Sequence, residues 1–125
     1  MVVKVVHPQE IVVWNILPFL RREISIEMKS LGLEQKKIAS LLKITEPAVS
    51  QYLNDKRASN KINITPELKK QIAFSAKSIM KDNKNILSEM QKLVNSKEIK
   101  SLICSIHKKE FNAPLNCHAC EIGAR

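Results

Sequence analysis

Glycine occurs only twice in this chain, at Gly32 and Gly123, and aromatic residues make up just 4% of it. A β-sandwich or a dinucleotide-binding α/β fold needs far more turn glycine than that. Helices are the default that remains. Long apolar runs are missing too: none approaches the ~18 residues that a membrane-crossing helix requires. The opening "MVVKVV" is too short for a secretory signal and lacks its flanks, so the expected location is cytoplasmic. Cysteine is scarce, with three residues all lying between positions 104 and 120. An odd number of thiols in a reducing compartment argues for metal or redox chemistry rather than a disulfide framework. No P-loop, nucleophile elbow or zinc-deaminase pattern is visible, so the chain is not expected to be an enzyme. His7 stands alone and is read as structural.

What the chain has in quantity is hydrophobic residues, 44%, enough for a core and too many for wholesale disorder. It also carries a net charge of +9. A surplus of that size on a small chain points to a polyanionic partner, although a solvated Lys-rich surface would give the same sum. The charge is concentrated in the middle, with 13 Lys/Arg against 5 Asp/Glu in residues 54–109.

Apolar periodicity places helices along most of the chain. Ile11, Val12, Trp14, Leu17 and Leu20 keep a helical spacing from Pro8, and Pro18 predicts a break or a fresh helix start. Leu20, Ile24 and Met28 continue on one face until Gly32, a residue suited to a helix C-terminus. Residues 34–42 read as a short helix with Ile38, Ala39, Leu41 and Leu42 apolar. The turn "KITE" follows, with Thr45 as N-cap and Pro47 in the first turn of a helix over 46–54. Thr65 and Pro66 repeat that start for a helix over 66–81, faced by Leu68, Ile72, Ala76, Ile79 and Met80. "DNKN" interrupts at 82–85, and helical patterns run on through Ile86, Met90, Leu93 and Val94, then Ile99, Leu102, Ile103 and Ile106.

Two short helices joined by a tight turn suggest a helix-turn-helix. Small Ala39 lets the helices approach, and Ile38, Leu42, Ile44 and Val49 wedge their crossing angle. The stretch "QKKIASLLKITEPAVSQYLNDKRA", residues 35–58, resembles the lambda-repressor/Cro-like, XRE-type helix-turn-helix regulators. Gln35, Ile38, Ala39, Leu42, Ile44, Val49, Ser50, Tyr52 and Leu53 occupy that pattern. An archaeal subgroup with a cysteine-bearing tail is the narrower likeness.

The resemblance implies an all-α fold: a lambda-repressor-like five-helix domain, a helical extension and a small C-terminal Cys/His metal-binding tail. It divides the chain into an arm and helix (1–17), a DNA-binding domain (18–81), a linker or dimerisation segment (82–103) and the tail (104–125). It further implies that Gln35 reaches a phosphate and braces the second helix. Position-matching puts Glu46, Pro47, Ala48, Ser50, Gln51 and Asn54 on or near the DNA-facing side. Gln51 suits base readout, because a carboxamide bonds bidentately to adenine. Lys43, Thr45, Ser50, Lys56 and Arg57 suit phosphates, which position without specifying. Glu46 and Pro47 depart from the pattern. Such regulators pair two recognition helices about 34 Å apart as dimers on double-stranded DNA. The helices at 66–81 and 86–107 are candidates for the homodimer contact, with internal packing the alternative. A helical hairpin that binds no DNA, and a basal-transcription bridging module, are the other readings.

The tail holds Cys104-x2-His107-x9-Cys117-x2-Cys120. Two pairs, each with two intervening residues, match the needs of one tetrahedral metal. His118 is an alternative ligand, although its place between two cysteines makes convergence harder. Three thiolates and an imidazole suit structural Zn²⁺, and the same set can hold an iron–sulfur cluster.

Overall fold

The computed structural model describes residues 7–54 and 64–110, and these are helical with no strand among them. The elements are α1 (Pro8–Ile11), a π-helical turn (Val12–Ile16), α2 (Leu17–Ser30), α3 (Gln35–Leu42), α4 (Glu46–Leu53), α5 (Pro66–Lys81), a 3₁₀ turn (Asn83–Asn85), α6 (Ile86–Val94) and α7 (Lys97–Glu110). None is long and apolar enough to cross a membrane. Residues 1–6 of the expected arm and helix over 1–17 lie outside the described residues, as do residues 55–63 between α4 and α5.

The chain does not break at Pro18. It runs helically from Pro8 to Ser30 by inserting the π turn just upstream, where the Leu17 N–H donates to the Val12 carbonyl five residues back. Proline lacks the N–H that would bond to Trp14 and crowds the carbonyl of the preceding turn. Widening that turn accommodates the proline while the helical run continues. The wide turn also shifts the helical register. Ile11 and Ile16, five apart, are both fully buried and feed the Leu20–Ile24–Met28 stripe, whereas Trp14 turns outward at 52% exposure. This corrects the regular spacing through Trp14 that the sequence suggested.

The helix ends are set locally. At the end of α2 the Leu33 N–H donates to the Met28 carbonyl and the Gly32 N–H to that of Lys29. That is a Schellman motif with Gly32 at φ +93°, a conformation that glycine adopts without strain. Thr45 Oγ1 accepts from the Ala48 N–H at 3.2 Å, and Thr65 Oγ1 accepts from the Leu68 N–H at 3.2 Å. Each bond satisfies one of the orphan donors at a helix start. Ser96 Oγ accepts from the Ile99 N–H to begin α7 in the same way.

One continuous core joins all of these helices. Phe19, Leu20, Ile24 and Met28 of α2 meet Ile38 and Leu42 of α3, Val49 of α4, and Leu68, Ile72 and Ile79 of α5. Met90 and Leu93 of α6 and Ile99 and Ile103 of α7 belong to the same cluster, as do Ile11 and Ile16. The buried apolar residues of α6 and α7 thus belong to the chain's own core. Helix α7 packs back on α1 and the π turn, so the first and last described helices close the same core. Polar links reinforce the periphery: Gln71 Nε2 donates to Glu98 Oε2 at 3.2 Å, tying α5 to α7.

Candidate nucleic-acid interface

Helices α3 and α4 are each eight residues long and meet through a tight turn. The turn forms because Lys43 adopts the left-handed conformation, φ 57° and ψ 42°. The Ile44 N–H then reaches the Ala39 carbonyl at 3.0 Å and the Lys43 N–H reaches that of Ser40 at 3.4 Å. Ile44 folds against the core and pins the turn from below. Among the described residues Lys43 is the one non-glycine residue with positive φ. Its lysine head is exposed while its backbone holds the hinge between the two helices.

Behind the turn, α4 is seated by its buried side. Ala48 (4% exposed), Val49 (0%) and Tyr52 (3%) face inward, with Leu53 packed against the core. The helix packs on both α2 and α3. What it shows to solvent is a stripe at helical spacing: Glu46 and Pro47, then Ser50 and Gln51, then Asn54. Ser50 and Gln51 are half-buried, and Asn54 Nδ2 donates to Ser50 Oγ at 3.4 Å. The stripe thus presents amide and hydroxyl groups, two of them hydrogen-bonded to each other.

The position-matched residues sort as follows. Glu46, Pro47, Ser50, Gln51 and Asn54 share the outward side of α4, and Thr45 and Lys43 lie exposed at its start. Ala48 does not join them. It is buried, so its methyl contributes to the seat of the helix and offers no surface to a groove. The reason is angular: 48 and 49 fall on the same side as 52, opposite 46, 50 and 54, at 3.6 residues per turn. Gln35 begins α3, half-buried, with no hydrogen-bond partner among the described residues. Lys36 and Lys37 beside it are exposed. The sequence did not single them out, because lysine pairs on exposed helix turns are common whatever the function. Lys56 and Arg57 lie outside the described residues.

At the other end of the chain, Cys104 and His107 sit one turn apart on α7, each half-buried. Residues at i and i+3 are neighbours on a helix surface, so thiol and imidazole can approach one ion. Cys117, His118 and Cys120 lie outside the described residues. Set against family models, curated proteins and solved structures, the chain gives no match in any of the three comparisons.

Proposed function

We propose that this chain is a sequence-specific DNA-binding transcription regulator of lambda-repressor-like, XRE-type build, acting as a homodimer. The observation that carries the reading is α4. A short helix is locked from behind by Ala48, Val49 and Tyr52, capped by Thr45, and presents Glu46, Pro47, Ser50, Gln51 and Asn54 outward on a chain of net charge +9. With its side chains an α-helix is about 10–12 Å across, which fits a major groove about 12 Å wide. In that groove Gln51 reads a base edge, while Lys43, Thr45 and Ser50, with Lys56 and Arg57 beyond, hold phosphates. The DNA-binding domain covers residues 18–81, where the described residues form four helices, α2 to α5, rather than the five expected. The C-terminal set Cys104, His107, Cys117 and Cys120 holds structural zinc or an iron–sulfur cluster. Such a group would tie Cys104 and His107 of α7 to the cysteines that follow them in sequence.

The test is selection of duplexes from a random library followed by footprinting of the enriched sequences. The reading expects a discrete protected site made of two half-sites in inverted repeat, one helical turn apart. A bridging module or a helical hairpin without DNA function would enrich no common sequence, and that result would remove the proposal.

A further inference from the structure

A pocket of about 320 Å³ opens where α2, the α3–α4 turn and α6 meet. Its walls are aliphatic: Leu17 of α2, Leu42 of α3, and Ile86 and Met90 of α6. Leu42, Ile86 and Met90 are each at most 8% exposed and belong to the core cluster, so the floor of the pocket is the edge of the core. Leu87, 81% exposed, forms a lip on the α6 side. The charged groups that line it are both cations, the half-buried Arg21 and the exposed Lys43. Among the described residues no aspartate or glutamate lines it. Arg21 has no acidic neighbour on its own helix either, because Leu17, Pro18, Ile24 and Ser25 occupy the positions three and four residues away. Its guanidinium makes no hydrogen bond or ion pair among the described residues, whereas the adjacent Arg22 reaches Glu23 Oε1 at 3.1 Å.

We infer that this pocket binds a small aliphatic carboxylate, its tail against Leu17, Leu42, Ile86 and Met90 and its head on Arg21 and Lys43. Charge complementarity selects the anion, since the lining carries two cations and no acid. A guanidinium holds a carboxylate through two parallel N–H···O bonds, and the lysine ammonium supplies a further donor at the rim. The walls select the rest of the molecule. They offer no aromatic ring to stack on, and each methylene that they remove from water strengthens binding roughly 4-fold. An inorganic phosphate or a nucleic-acid backbone would meet the same cations and leave those walls unused. The volume lies at the small end of the ~300–1,000 Å³ that ligand pockets span, which suits a short acid better than a lipid or a peptide. Leu42 and Lys43 belong to the α3–α4 turn, so the bound acid bridges that turn to α6. This site goes beyond the DNA-binding reading and does not depend on it.

Isothermal titration calorimetry of the full chain with sodium octanoate, without DNA, tests this directly. One octanoate per chain is expected to bind with a dissociation constant of about 1 mM or tighter. Octylammonium, with the same tail and the opposite charge, and inorganic phosphate, with no tail, should each bind at least about 10-fold more weakly. Arg21→Gln should weaken octanoate at least about 10-fold. Leu87→Glu places a carboxylate on the lip from an exposed position, so it should weaken octanoate by about the same factor with far-UV circular dichroism unchanged. Lys69→Gln removes one positive charge outside the lining and should leave the affinity within about 2-fold of wild type. A wild type that does not bind octanoate, equal binding of octylammonium, or wild-type affinity in Arg21→Gln or in Leu87→Glu would each overturn the inference. So would a loss in Lys69→Gln as large as in Arg21→Gln, because affinity would then follow net charge alone. Because no DNA is present, these outcomes are separable from failure of the DNA-binding reading.

Discussion

Lys43 offers the sharpest separation of stability from function. Its φ of 57° places a β-carbon where only glycine sits without strain. The left-handed conformation costs an ordinary residue about 1–2 kcal/mol. Glycine loses more backbone entropy on folding, which takes back about 0.5–1 kcal/mol. Lys43→Gly should therefore stabilise the protein by about 0.5–1 kcal/mol, equivalent to a Tm rise of about 2–5 °C for a domain of this size. The bonds that build the turn, Ile44 to Ala39 and Lys43 to Ser40, are between backbone groups and survive the substitution. Lys43→Ala is the control: it removes the same charge but keeps the β-carbon and the strain, so its stability should stay within about 0.5 kcal/mol of wild type. Both variants lose one phosphate contact and should lower the salt slope of DNA binding by about 1. Urea unfolding followed by circular dichroism measures the first effect, and fluorescence anisotropy across a salt series measures the second. A Lys43→Gly protein no more stable than Lys43→Ala would refute the strain argument.

Four further outcomes follow from the same geometry. Thr65→Ala should cost about 1 kcal/mol of stability through the lost N-cap, with DNA affinity unaltered once the protein is folded. Thr45→Ala should cost a similar amount and also weaken DNA binding, because its cap orients α4; paired urea melts and anisotropy titrations distinguish the two. Ile24→Ala, at the centre of the core, should destabilise by about 2–5 kcal/mol in chemical denaturation. Anaerobically purified protein should contain bound zinc or iron at one site per chain, and Cys104→Ser should reduce that content in elemental analysis; equal metal in both proteins would place the site elsewhere.

The parts of the fold legible in the sequence are those with local causes. Thr45 and Thr65 announced their helices because a cap followed by proline is a complete chemical instruction within a few residues. Gly32 likewise marked the end of α2. Helix α5 was bounded at 66–81 for the same reason. Pro18 marked a fresh α-helical start, since α2 begins at Leu17 with the proline in its first turn, but the π turn that joins it to α1 without a gap was not legible. Trp14 was consequently assigned to the wrong side. Lys43 concealed a left-handed turn residue behind a side chain that reads as a surface cation. Ala48 was misplaced for a different reason: alanine is small enough to suit either side of a helix, so its type carries no orientation. The apolar stripes of α6 and α7 announced burial but could not say against what.

Whether α4 reads sequence is measured by one comparison. Anisotropy titrations at a single near-physiological salt concentration would measure affinity for the selected duplex and for a scrambled duplex of the same length. A base-reading α4 should give a preference of at least about 1,000-fold, falling sharply in Gln51→Ala while affinity for the scrambled duplex holds. A preference within about 10-fold, or one untouched by Gln51→Ala, would contradict it: the chain would then bind DNA through charge alone, and α4 would not be reading bases.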